Sequence, residues 1–259
     1  MKNLLKLVYC FALVLNATMY ASTLQLTASN LGNGQVAIGY EVTSGSDVPV
    51  GLGLNVTLTD GATFAGVASA SSYFPIYPST LMIDPSGNVT DWGAPISPPL
   101  MPGALGGIGT SGITLEMASQ LSPQEVGINP HDARDINWDG YIDYVDMAIL
   151  VDTWLEIDDS VAGDINGDGV VNMADLSGFV VSSGSQSPPL NLSQLLVLQI
   201  DLHEAANTTL LISPEATYRG GIVKGDGEIF SVTPISIVVP EPATLLLLGF
   251  GIFVLSRRK

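Results

Sequence analysis

The chain has 259 residues, of which 46% are apolar, so it can form one sizeable core and a small second unit. It is strongly acidic, with 25 acidic residues against 8 basic ones and a formal net charge of −17. Such a surface repels nucleic-acid phosphates and attracts cations, which excludes nucleic acid as an expected partner. The one cysteine, Cys10, lies in a segment expected to be removed, so neither disulfide bonds nor thiol chemistry are expected in the mature chain.

Residues 1–21 have the composition of a secretory signal peptide. Two lysines precede an apolar run over residues 7–15, and Ala17 and Ala21 are candidate cleavage residues. A buried N-terminal helix is the alternative, but the order of charged, apolar and small residues favours export. We therefore expect an exported protein.

Residues 22–120 show the alternation of apolar and polar residues that is typical of β-strands. The pattern is clearest at residues 36–42 and 52–58, and the second stretch ends at a turn signal, Asp60-Gly61. Residues 91–112 are rich in Gly and Pro and predict an irregular loop. We expect residues 22–120 to form the first part of an antiparallel β-sandwich.

Two segments in the middle of the chain repeat each other with an offset of 29 residues. Both follow the calcium-loop pattern D-x-N-x-D-G, then five residues and an acid. Calcium takes six to eight oxygen ligands, which loop positions 1, 3, 5, 7, 9 and 12 supply. The predicted ligands are Asp135, Asn137, Asp139, Tyr141, Asp143 and Asp146 in the first loop, and Asp164, Asn166, Asp168, Val170, Asn172 and Asp175 in the second. Tyr141 and Val170 would bind through their backbone carbonyl oxygens. The sequence therefore predicts two Ca²⁺ ions.

Both loops end in Asp, where the general calcium loop has Glu, and an apolar helical pattern follows each loop. A duplicated calcium loop that leads into one helix resembles a type I dockerin over residues 128–183, and we assign the module to residues 125–185. The resemblance implies docking to a cohesin-type protein domain through loop positions 10 and 11. These positions are Tyr144 and Val145 in the first copy and Met173 and Ala174 in the second. The pairs differ between the copies, and a Ser-Gly step shortens the second helix.

Other residues of the module are expected to serve packing. Ile142 and Val171, at loop position 8, predict a short strand contact between the two loops. Trp138 and Trp154 are expected to pack rather than to bind a ligand. Two Asp/Gly-rich turns without metal are the alternative, but the identical spacing and the clustered carboxylates favour calcium.

Strand patterns return over residues 190–239, a segment too short to bury a stable core alone without disulfides. We therefore expect it to pack against residues 22–120. The predicted fold class is mainly β, an antiparallel β-sandwich with an inserted small α-helical calcium-loop module. The strand pattern and the glycine-rich segment 220–227 resemble a cohesin-like or carbohydrate-binding-module sandwich.

Residues 240–259 contain three parts in order. These are Pro240-Glu241-Pro242, an apolar run over 243–255 and a basic cluster at 257–259. The apolar run spans about 20 Å, short of the roughly 30 Å bilayer core. The tail resembles a PEP-CTERM sorting signal, which implies recognition and removal by an exosortase-type enzyme of a Gram-negative bacterium. It further implies transient membrane association through the tail and delivery by way of the inner membrane to the cell surface or extracellular matrix. An ordinary single-span anchor is the alternative.

These features predict a non-catalytic surface or matrix protein whose calcium module mediates protein–protein docking. The alternative is a calcium-stabilised structural or carbohydrate-binding protein without a cohesin partner, in which Tyr73, Tyr77 and Trp92 could stack on sugar rings. An enzyme is not expected, because His131 and His203 have no nucleophile motif beside them. Outside the loops, the few acids suggest no carboxylate pair for glycoside hydrolysis.

Overall fold

The computed structural model describes residues 22–119, 125–126, 132–158, 160–179, 187–203 and 207–240. The predicted signal peptide, His131, Glu241, Pro242 and the rest of the predicted tail after Pro240 lie outside the described residues.

The described residues form thirteen strands and two α-helices. The strands are β1 (Thr23–Gly32), β2 (Gln35–Ser44), β3 (Pro49–Leu58), β4 (Thr63–Ala70), β5 (Met82–Ile83), β6 (Val89–Asp91), β7 (Gly112–Ala118), β8 (Glu125–Val126), β9 (Tyr141–Ile142), β10 (Asn191–Asp201), β11 (Asn207–Pro214), β12 (Ile222–Lys224) and β13 (Ile235–Pro240). The helices are α1 (Tyr144–Asp152) and α2 (Met173–Ser177). Neither helix is long and apolar enough to cross a membrane. The two helices expected at the loops are present at these bounds, and the second helix is the shorter one.

Two antiparallel sheets face each other. The first has the strand order β1-β2-β10-β4, and the second has the order β12-β3-β11-β13, with β7 also paired to β3. Strand β10 thus lies between two strands of the first segment, and β11 pairs with β3. The protein is mainly β and antiparallel, as predicted, and the segments before and after the predicted calcium loops contribute strands to both sheets.

Apolar side chains between the two sheets form the main core. They come from alternate positions of the strands, as the period-2 pattern predicts, and include Ile38 of β2, Leu54 of β3 and Leu210 of β11. Strand β7 differs, because every one of its residues is buried. Its polar residues Thr114 and Glu116 are therefore enclosed by the protein as well.

A second apolar core lies between the loop module and the sandwich. Its buried members come from both parts of the chain: Val50, Ile76, Leu81, Ala118 and Val223 from the sandwich side, and Ile142, Met147, Leu150, Trp154, Leu155, Val171, Met173, Leu176 and Phe179 from the module. Helix α2 contacts β3, β7 and β12. The module is therefore packed onto the sandwich through a shared apolar core.

Candidate calcium loops and their contact with the sandwich

The two predicted calcium loops have the same backbone conformation. The position-6 glycines, Gly140 and Gly169, have φ of 89° and 87°. Position 4 is also left-handed in both copies, with φ of 61° at Trp138 and 74° at Gly167. Two left-handed residues turn the chain sharply enough for its polar side chains to face the inside of the loop.

The position-1 carboxylates are held in matching orientations. Asp135 accepts hydrogen bonds from the backbone N–H groups of Asp139 and Gly140, both at 3.1 Å. Asp164 accepts the equivalent bonds from Asp168 at 3.1 Å and Gly169 at 2.9 Å. The carboxylates therefore lie across their own loops, where position 1 of a calcium loop places its ligand.

The position-12 carboxylates close the loops and begin the helices. Asp146 accepts N–H groups from Asn137 at 3.1 Å and Asp143 at 2.9 Å, and it forms a reciprocal capping box with Asp143 at the start of α1. The equivalent Asp175 accepts N–H groups from Asn166 at 3.1 Å and Asn172 at 2.9 Å. The capping boxes at the starts of α1 and α2 thus use loop positions 9 and 12 in both copies.

Both closing carboxylates are buried, and no basic side chain of the described residues pairs with them. Asp146 is 0% exposed and Asp175 is 1% exposed. Burial, with a smaller contribution from the nearby charge of Asp168, raises the pKa of Asp175 to about 6. Burial likewise raises the pKa of Asp146, with a smaller contribution from Asp143. A divalent cation inside each loop would supply the missing positive charge.

The predicted ligand atoms are all oxygens, from carboxylates, side-chain amides and backbone carbonyls, which is the chemistry that calcium prefers. In the described part of the chain, no group of three or more His, Cys, Asp or Glu side chains is assembled as a metal cluster. The loop conformation and the donor types fit calcium, and calcium binding at these residues stays a prediction.

The predicted strand contact between the two loops is wrong. Ile142 lies opposite Glu125 in the pairing of β8 with β9. Val171 exchanges hydrogen bonds with Leu155 and Glu156, at 2.9 Å and 3.1 Å. Each loop therefore pairs with the segment that precedes it. The two position-8 side chains are still buried, in the second core.

The predicted partner-binding residues contact this chain's own sandwich. Met173 is fully buried, and a Cβ on Gly51 of β3 would lie 3.1 Å from its sulfur atom. A Cβ on Gly87, in the turn between β5 and β6, would lie 3.0 Å from Val145 and 3.7 Å from Tyr144.

Ala174 lies beside two further glycines, Gly220 and Gly227. Short glycine-bearing segments of this chain thus let the module approach closely at Tyr144, Val145, Met173 and Ala174, and the partner-binding role of these residues stays a prediction.

A buried polar network lies beneath the module. Glu116 of β7 accepts a hydrogen bond from the Arg219 side chain, and both groups are almost completely buried. Trp154 Nε1 donates to Glu116 at 3.1 Å, so the module is hydrogen-bonded to the same carboxylate. Arg219 also donates to the Pro102 carbonyl at 2.9 Å and to Ser97 at 3.0 Å. The pair has hydrogen-bond partners on several sides, which offsets much of the cost of burying its charges.

Sequence reasoning did not identify this network. A glutamate inside an otherwise apolar strand and an arginine in a chain with few bases are signals that could have indicated it.

The aromatic residues divide into buried and exposed ones. Trp154 is 5% exposed, as predicted, whereas Trp138 is 71% exposed, so the packing role predicted for Trp138 is wrong. Tyr73 and Tyr77 are half-buried against the main core, and Trp92 is 41% exposed. Packing accounts for Tyr73 and Tyr77, and the three residues give no evidence of a sugar platform.

Comparison with known proteins identifies the end of the chain. Residues 238–259 match the family model of the PEP-CTERM protein-sorting motif. The predicted sorting tail is therefore confirmed, and the motif implies export and sorting by an exosortase-type enzyme to the surface or exterior of a Gram-negative cell. No curated protein and no solved structure gives a match. No dockerin or cohesin family model matches either, so those resemblances stay predictions.

Proposed function

We propose that this is an exported, non-catalytic surface protein in which the calcium-loop module stabilises its own sandwich. The observation that carries the proposal is the position of Tyr144, Val145, Met173 and Ala174 against the same chain. These residues would choose an external partner if the module acted as a dockerin. In this protein Met173 and Ala174 lie against sandwich segments around Gly51, Gly220 and Gly227, and Tyr144 and Val145 lie against the β5–β6 hairpin at Gly87. This arrangement favours an internal calcium-dependent clamp over docking to a separate cohesin-type domain.

Two further contacts support the clamp. The module and the sandwich share one apolar core, so separating them would expose buried side chains such as Val50, Ala118 and Leu176. Separation would also remove Trp154 from Glu116 and open the buried ion pair to water. Calcium that orders the loops would stabilise the starts of α1 and α2, and with them the residues that touch the sandwich.

Thermal unfolding of residues 22–240, with calcium and with a chelator, tests the clamp. The clamp predicts one cooperative transition for the module and the sandwich together, and calcium should shift it as a unit. The double variant Asp146→Asn/Asp175→Asn should lose the calcium shift. Asp60→Asn changes an exposed acid in the turn between β3 and β4 and should keep it. Two separate transitions, of which calcium moves only one, would contradict the clamp and favour a module that is free to dock elsewhere.

The sorting tail is proposed to be removed rather than kept as an anchor. Mass spectrometry of the surface protein from its host should find a C-terminus near Pro240, Glu241 and Pro242. Glu241→Ala should leave the precursor in the membrane fraction, because the processing enzyme would lose part of its motif. An intact Lys259 on the mature surface protein would contradict processing and favour a permanent anchor.

A further inference from the structure

The sorting signal begins inside the folded sandwich. The matched segment, residues 238–259, overlaps strand β13, which ends at Pro240. Its first three residues lie in register with β11: Val238 opposite Thr209, Val239 opposite Thr208, and Pro240 opposite Asn207. The described strand therefore leaves no spacer between the sheet and the sorting motif.

While β13 is in the sheet, part of this segment is hidden. The Val239 side chain is 0% exposed and belongs to the main core, and Thr208 opposite it is 1% exposed. An enzyme that binds an extended peptide recognises the peptide's backbone hydrogen-bonding groups and its alternate side chains. Val239 cannot offer its side chain to an enzyme while that side chain fills the core.

Strand β13 is also the strand of the second sheet with the fewest buried residues. It is last in the strand order, and within the described residues it pairs with β11. Ser236 and Val238 are exposed, and Val239 is its one buried residue. Terminal edge strands with few buried side chains open locally at lower free energy than central strands.

We propose that the processing enzyme acts on a form of the protein in which β13 has left the sheet, so that docking of β13 protects the tail junction. The processing rate then follows the fraction of molecules with β13 undocked. The inference rests on the tail removal proposed above. It adds that the sandwich itself regulates when the tail is removed.

The test fixes β13 in place in the full chain, in its host. Leu211→Cys/Ser236→Cys creates a disulfide between β11 and β13 at an exposed pair outside the matched segment, since neighbouring strands bring such residues within bonding range. The matched control, Gln25→Cys/Glu41→Cys, forms the equivalent link between β1 and β2, which need not move. A third variant keeps the β13 disulfide but adds, after Pro240, about eight Gly/Ser residues and a second copy of residues 238–240.

The ratio of precursor to mature protein, measured by mass spectrometry after a pulse of synthesis, reports the processing rate. The β13 disulfide should slow processing by about tenfold or more, while the control disulfide leaves the parent rate unchanged. The added spacer should restore processing despite the disulfide. Processing of the β13-linked protein at the parent rate would overturn the inference, whereas a parent that keeps its tail would contradict tail removal itself.

Discussion

The substitution Asp175→Asn is expected to stabilise the protein without calcium and to weaken its response to calcium. The Asp175 carboxyl group is 1% exposed, and burial raises its pKa from the usual 3.8 to about 6. Since one pKa unit corresponds to about 1.4 kcal/mol, ionised Asp175 lowers the calcium-free stability at pH 7 by about 3 kcal/mol. Asparagine removes that charge. Its amide nitrogen replaces the oxygen that accepts the Asn172 N–H, and the loss of this hydrogen bond costs about 1–2 kcal/mol. The net gain expected without calcium is therefore about 1–2 kcal/mol.

Urea denaturation of residues 22–240 at several pH values, with calcium or with a chelator, measures both effects. The folded state binds the Asp175 proton more tightly than the unfolded chain does. The calcium-free parent should therefore gain stability as the pH falls from about 7 through 6 to about 4. The variant should lack the part of this gain that comes from Asp175.

Calcium at about one hundred times its dissociation constant should add about 2.7 kcal/mol per site to the parent, and the variant should lose one such contribution. A variant that is less stable than the parent in chelator, or that responds to calcium as the parent does, would refute the reasoning.

Three further substitutions test the loops and the contact beneath them. Asp146→Ala should lower the calcium stoichiometry measured by titration calorimetry from two ions to one, and an unchanged stoichiometry would contradict the first site. Met173→Ala should lower the unfolding free energy by about 2–5 kcal/mol, because it removes a fully buried side chain. The control Trp138→Ala changes an exposed residue and should alter the unfolding free energy by less than about 1 kcal/mol. Equal losses in the two variants would contradict the shared core. Glu116→Ala should cost about 3–5 kcal/mol in urea denaturation, because Arg219 would stay buried without its closest carboxylate, and a loss below about 1 kcal/mol would argue against the network.

The local features of this protein could be predicted from sequence because they depend on residues close together in the chain. The glycines at loop position 6 have the positive φ that the pattern requires, and both helices begin at loop position 10. Alternating apolar residues also predicted the mainly β, antiparallel fold. The sorting motif is equally local, and its three parts follow one another at the end of the chain.

The features that depend on packing could not be predicted in the same way. The position of Met173 against Gly51 depends on how the module lies on β3, which no local pattern contains. Ile142 and Val171 suggested a contact between the loops, because their apolar character is the same whichever strand they pair with. The size and apolar character of Trp138 predict burial, yet the loop geometry at position 4 leaves its ring in solvent.

The clamp also explains why acidic loops would be useful in this sandwich. The predicted mature chain has no cysteine, so it cannot use the disulfide bonds that stabilise many exported domains. The second core needs the module to cover Val50, Ala118 and Val223, and two buried carboxylates destabilise that module when no cation is present. Bound calcium would turn the destabilising charge of these carboxylates into a stabilising attraction. Extracellular calcium modules have dissociation constants of about 0.1–1 mM. On this proposal, the module would close fully onto the sandwich only after export, where calcium is available to complete it.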